Sequence, residues 1–250
     1  MNKSAYNPLD GERPEMTINL HDGSDEQISI IVVHKDSPHY LNLCIQSIAV
    51  TSFNNNYEVI IVDNNSGKET QDFLDEIEDE SIKIVRNEKN LYWSAAANRG
   101  AAAADKRSKY LVFMHADVSV LYPGWLDNLI NVLAHQNAGI VGFQFHTYEI
   151  GNQRVNFVEE WCMMMSRQCW DKIAPWPEEL PMAGHAFIMT RKAQRAGFSP
   201  QGFAHPEKTN GLVHHYKAFN VDFNEYEIMC EEASLTIPKL LRQIESVSVS

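Results

Sequence analysis

His115 and Asp117 stand one residue apart where an apolar run, Tyr110 to Asp117 (YLVFMHAD), breaks off. An imidazole and a carboxylate at that spacing can share a polar ligand or a divalent cation, because one supplies a nitrogen lone pair and the other anionic oxygens. A strand buried on both faces reads as a near-continuous apolar run, so polar residues at its end fall at the sheet edge. Two more runs end the same way: ISIIVV (28–33) gives way to His34, Lys35 and Asp36, and EVIIVD (58–63) ends in Asp63 and leads into Asn64, Asn65 and Ser66. Parallel α/β sheets bind ligands outside the carboxyl ends of their strands. Three polar clusters ending three apolar runs therefore predict one binding edge.

The elements that must hold those clusters follow in regular alternation from about residue 28 to 145. After the strand at 28–33, Asp36-Ser37-Pro38 offers a helix start, and Leu41, Cys44, Ile45 and Ile48 then share one helical face. The strand at 58–63 leads through a turn to a short acidic helix around Phe73, Leu74 and Ile77, and SIKIVRN (81–87) is a third strand. The alanine-rich segment 93–106 is a helix with a small face suited to close packing on a sheet. KYLVFMHAD is the fourth strand, 123–136 a helix with Pro at its start, and 139–145 the fifth strand. Strands alternating with helices at this spacing predict the α/β class, with βαβ units, a mostly parallel Rossmann-like sheet and right-handed crossovers. Met163, Met164 and Met165 read as a buried strand. Residues 1–26 read as a polar arm and 223–250 as a tail with a helix around Leu235 to Ile244, which could pack on the core or form a homodimer contact.

The chain has 250 residues and a formal charge of -12, which argues against a nucleic-acid surface, since phosphate neutralisation needs clustered Lys and Arg. An anionic ligand would need a local device such as a metal ion or backbone amides. No run approaches the roughly 20 apolar residues of a membrane span, and the expectation is a cytoplasmic protein, with peripheral contact at the inner membrane face left open. The 4 cysteines show no metal-binding spacing and read as reduced core residues.

Taken in order, ISIIVVHKDSPHYLNLCIQSI, EVIIVDNNSGKET, NEKNLYWSAAANRGAAAA and YLVFMHADVSVLYPGWLDNL resemble family 2 glycosyltransferases of the GT-A fold. The resemblance covers roughly 28–200. It implies a single GT-A domain over 27–222, with a nucleotide-sugar half at 27–145 and a smaller acceptor half at 146–222. It implies a metal-dependent, inverting hexosyltransferase-type enzyme that moves a sugar from a nucleoside diphosphate, with UDP favoured, to an acceptor hydroxyl in polysaccharide or glycoconjugate synthesis. His34, Asp36, Asp63, Asn65, Asn90, Asn98, His115 and Asp117 fall on the nucleotide-sugar side, and Arg99 matches a pocket position as well. The family's Asp-x-Asp motif is His115-Ala116-Asp117 here, so Asp117 and His115 are the expected ligands of Mn²⁺ or Mg²⁺. A later histidine would complete the shell. If 212–216 is extended, His214 and His215 point to opposite faces, and His214 is the one chosen.

The resemblance also extends over 157–198, and there the sequence departs from the pattern. The family's Glu-Asp pair, whose Asp usually acts as general base, aligns with His185-Ala186 in the register that closes a helix at Gly197. Three substitutes follow: His185 itself, Glu178 or Glu179 from the preceding loop, or Glu207 if GHAFIMTRK is instead a strand. A scaffold that binds nucleotide sugar without turnover is the alternative reading, and a sugar-phosphate nucleotidyltransferase ranks below it because the glycine-rich loop is absent.

Overall fold

The computed structural model describes residues 27–150, 153–203, 213–218 and 223–246. The expected N-terminal arm lies outside these residues. The apolar runs form β1 (Ile28–His34), β2 (Tyr57–Asp63), β3 (Ile82–Arg86) and β4 (Tyr110–His115), and between them lie α1 (Pro38–Thr51), α2 (Lys68–Asp75) and α3 (Tyr92–Ala103). β1 pairs in parallel with β2 and β4, and β2 with β3. His34 is level with Asp63 and Val33 with His115, so the polar ends of the three strands share one edge.

The expected fifth strand at 139–145 is divided. β6 (Ile140–Gly142) enters the sheet, whereas β7 (Phe145–Ile150) leaves it and pairs only with β8 (Gln153–Val158). Between β4 and β6 lies β9 (Cys162–Ser166), antiparallel to both, and the two-residue β10 (Gln201–Gly202) pairs with β6. The order is β10-β6-β9-β4-β1-β2-β3, a mostly parallel sheet with one reversed strand. Met163, Met164 and Met165, in that reversed strand, are fully buried.

Alternation along each strand splits the core into two layers. Ile30, Val32, Val112 and Met114 pack with Leu41, Cys44 and Ile48 of α1 and with Leu126 and Leu129 of α4 (Trp125–Gln136). Ile31, Leu111 and Phe113 pack on the other face with Ala96, Ala97 and Ala101 of α3, with Trp170 of α5 (Arg167–Ile173) and with Met189 of α6 (His185–Arg195). α3 approaches so closely that a β-carbon on Gly100 would overlap Ile31 and Val62. The alanine face is therefore what lets the helix settle on the sheet.

The C-terminal helix, α7 (Phe223–Ser246), is longer than the segment expected from sequence. Ala233 and Ile237 pack against Leu180, Phe187 and Ile188, which seats α7 across α6. Gly184, with φ +77°, caps the start of α6, and a side chain there would collide with Ile237.

Candidate active site

A cavity of about 270 Å³ opens at the carboxyl edge of β1 and β4. His115 closes β4, and its backbone N–H donates to the carbonyl of Trp161 at 3.0 Å. Its ring lies 4.5 Å from that of Trp93, centroid to centroid, which fixes the imidazole plane against α3. Asp117 follows, and β5 (Val118–Val120) then pairs antiparallel with β11 (Val213–His215), setting His215 opposite Val118. His215 Nε2 thereby reaches 3.4 Å from Asp117 Oδ2, and the same oxygen accepts a 2.7 Å hydrogen bond from the Ala218 N–H. Trp161 stacks on His215 at 5.1 Å.

His115, Asp117 and His215 each offer one ligand atom, all within 4.8 Å of one another. His115 Nδ1 stands 3.8 Å from Asp117 Oδ1. Two imidazole nitrogens and a carboxylate suit Mn²⁺ and accept Mg²⁺ less readily, since Mg²⁺ prefers an all-oxygen shell. The electrostatics agree with a cation there. Burial works to raise the Asp117 carboxyl, but the His215 hydrogen bond and the nearby imidazoles outweigh it and hold the group below the usual range. Burial pushes His115 downward, toward the neutral form that can ligate.

Across the cavity, Glu160 lies in the turn ahead of β9. Its Oε1 is 3.2 Å from His185 Nε2 and 3.8 Å from His115 Nε2. Burial would raise this carboxyl, yet His185 and His115 together bring it down to about 2. His185 opens α6 and is 1% exposed, and apart from the 3.2 Å contact with Glu160 neither of its ring nitrogens has a hydrogen-bond partner among the described residues. Tyr226 of α7 and Met182 complete this wall.

The residues singled out from sequence separate into groups. His34, Asn90, His115, Asp117 and His185 line the cavity. Asp63 does not: it is fully buried, and its carboxylate accepts hydrogen bonds from the Gln71 side chain at 2.6 Å and the Ser66 N–H at 3.3 Å. Its neighbour Asn64 takes the place in the wall. Asp36 sits on the exposed side of the loop and accepts from the Gly67 N–H, while Asn65 is an exposed turn residue with φ 59°. Asn98 braces the loop after α5, donating to the Trp176 carbonyl and accepting from the Trp176 N–H, and Arg99 is exposed.

Of the residues considered as the base, Glu178 and Glu179 line a different cavity, between the loop after α5 and α7, and not the one with His115 and Asp117. The strand register that would recruit Glu207 is ruled out because 185–195 is helical; Glu207 itself lies outside the described residues. His215, not His214, faces Asp117, for the antiparallel pairing turns His214 outward to solvent. Reading from sequence missed Glu160, Trp161 and Tyr226. Glu159-Glu160-Trp161 did carry a signal, a polar pair abutting the apolar CMMM run, but at the start of the strand. Only reversal of β9 brings a strand start to this edge.

A sequence profile of the family Glycosyl transferase family 2 matches residues 29–198. The chain belongs to that family. Among solved structures, this family 2 chain superposes on the mannosyltransferase PcManGT from Pyrobaculum calidifontis, in complex with GDP-Man and Mn²⁺, with a TM-score of 0.62 at 12% identity over 86% of this chain and 65% of the other. GalNAc-T7 with UDP, GalNAc and Mn²⁺ gives a TM-score of 0.57 at 13% identity, over 73% and 44% of the two chains. The fold is GT-A. The O-antigen biosynthesis protein RfbC of Myxococcus xanthus is 30% identical over 117 residues, 46% of this chain. The chain spans 9% of the length of RfbC and 13% of that of a second curated relative. No helix among the described residues is long and apolar enough to cross a membrane.

Proposed function

We propose that this family 2 chain transfers a glycosyl group from a nucleoside diphosphate sugar, with uridine as the nucleoside, to an acceptor hydroxyl with inversion, in polysaccharide or glycoconjugate synthesis. The observation that carries the reading is the convergence of His115, Asp117 and His215 to within 4.8 Å at the edge where β1 and β4 end. A divalent cation, Mn²⁺ or Mg²⁺, held by these three would stabilise the charge of the departing diphosphate as a Lewis acid. The two neighbouring structures pair Mn²⁺ with UDP in one and with GDP-Man in the other, and the O-antigen relative supports a saccharide acceptor.

The protein's own groups have distinct roles. His34, Asn64 and Asn90 form the donor end of the cavity, and His185, Glu160 and Tyr226 the acceptor end. His185 takes the acceptor hydroxyl proton as the oxygen forms its bond to the anomeric carbon, while the bond from that carbon to the diphosphate oxygen breaks with its electrons going to the diphosphate. Removal of that proton is worth about 10²–10⁴-fold in rate. Trp93 and Trp176 wall this histidine from water.

The test is release of UDP from UDP-sugars, with GDP-mannose in parallel, in the presence of Mn²⁺. Asp117→Ala is expected to lower turnover at least about 100-fold, since several kcal/mol of charge stabilisation is lost. Wild-type turnover undiminished by chelator, or Asp117→Ala turnover equal to the wild type in Mn²⁺, would overturn the metal-assisted reading. Ala186, buried where the family carries an acid, favours one second reading, a nucleotide-sugar-binding protein without turnover. Tight Mn²⁺-dependent UDP binding with no transfer to any saccharide acceptor identifies it.

A further inference from the structure

The acid missing from the start of α6 has a counterpart on another element. Glu160 presents one carboxylate oxygen to two imidazoles, 3.2 Å from His185 Nε2 and 3.8 Å from His115 Nε2. Both of those nitrogens are buried and have no partner other than Glu160 among the described residues, and His185 Nδ1 has none. A carboxylate oxygen can accept from two N–H donors, and an imidazole that donates from Nε2 carries its lone pair on Nδ1. On His115 that lone pair faces Asp117 Oδ1.

The geometry points to Glu160 as the positioning residue that sets the tautomer of both histidines at once: it holds the proton of each on Nε2, leaving His115 Nδ1 for the divalent cation and His185 Nδ1 for the acceptor proton. The inference rests on the transfer reading above and deepens it. A carboxylate behind a ligating histidine fixes the ring and raises its basicity, and its removal typically costs metal affinity. A carboxylate behind a catalytic histidine holds the tautomer and stabilises the imidazolium that forms when the proton arrives. Here a single group performs both tasks. At 3.8 Å the His115 contact is longer than a hydrogen bond, so the proposal requires it to shorten in the loaded site, as catalytic contacts that are long without ligand often do. Glu160 thus joins the donor half of the cavity to the acceptor half, and the buried, apolar surroundings of Trp93 and Trp176 leave His185 no competing partner among the described residues.

The experiment is long-range ¹H–¹⁵N NMR of histidine-labelled full-length protein, with His115→Gln and His185→Gln spectra for assignment. In the wild type without substrate, both rings are expected in the Nε2–H form. In Glu160→Gln, whose amide can donate to a bare nitrogen, His185 shifts toward the Nδ1–H form. Affinity for Mn²⁺ alone, read by electron paramagnetic resonance, falls by about 10- to 100-fold. kcat falls by about 10²–10⁴-fold with KM little changed, and Glu160→Asp recovers part of both losses. A wild-type His185 already in the Nδ1–H form, or Glu160→Gln with unaltered tautomers and Mn²⁺ affinity, overturns the proposal. Because tautomers and Mn²⁺ binding are read without substrate, absence of sugar transfer in the wild type would sink the transfer reading while the role of Glu160 is still decided by the spectra.

Discussion

Two adjacent histidines in an extended segment divide between opposite faces, and here the division decides which one serves the site. His214 and His215 cannot be ranked from sequence, because nothing local says which face of the segment meets Asp117. The pairing of β11 with β5 supplies that information from more than ninety positions away. His215→Ala is therefore expected to weaken Mn²⁺ binding by at least the roughly 10- to 100-fold that loss of a supporting group costs, whereas His214→Ala leaves it within about twofold. Calorimetric titration of Mn²⁺ into each variant checks this. His34 makes a second prediction at this scale. Burial, only partly opposed by Asp63, lowers its pKa from 6.5 to about 4, so the unfolded chain takes up a proton in a range where the native protein does not. The stability contributed by neutral His34 is complete above about pH 6.5 and is lost as the pH falls toward 4, a change of about 3 kcal/mol at most. Urea midpoints measured near neutrality and again on the acid side should fall less steeply in His34→Gln than in the wild type.

Elements whose apolar pattern is continuous were legible without coordinates: β1, β2, β4, α1 and α3 stand where the periodicity put them. Short pieces fixed by long-range pairing were not. β5 and β11 are three residues each, too short to show a period, and exist because each satisfies the other's backbone. The division of 139–145 into β6 and β7 was equally hidden, since β6 stays in the sheet only through its pairs with β9 and β10. The small-residue face of α3 was readable, and the structure gives it a further task. Its first turn donates from Trp93 and Ser94 N–H groups to the Pro181 carbonyl, and Asn98 grips Trp176, so α3 positions the loop ahead of α6 as well as covering the sheet. Gly100→Ala forces a methyl between Ile31 and Val62 and should cost about 1–3 kcal/mol, lowering Tm by roughly 2–4 °C for each kcal/mol. Differential scanning calorimetry tests this. Transfer kinetics near the new melting limit should decline with it, because β1 and α3 both border the cavity.

At the scale of the whole molecule, the acidic chain assembles a small, imidazole-rich anionic cleft rather than a basic surface. One end of the cleft, the proposed donor end, comes from β1, α3 and β4, and the opposite end, the proposed acceptor end, from the turn before β9, the start of α6 and α7. Sequence divides these into consecutive halves at about residue 145, yet the sheet interleaves them: β6, from the first half, meets β4 only across β9, from the second. That reversed strand carries a consequence for synthesis on the ribosome. When residue 145 has emerged, β4 still presents a bare apolar edge, and β6 has nothing to bind. Both must wait for Ser166 to clear the exit tunnel before His115 and Glu160 can meet. The nascent chain therefore passes through a stage with a sticky, open sheet margin, and the strand that ends that exposure is the same one that delivers Glu160.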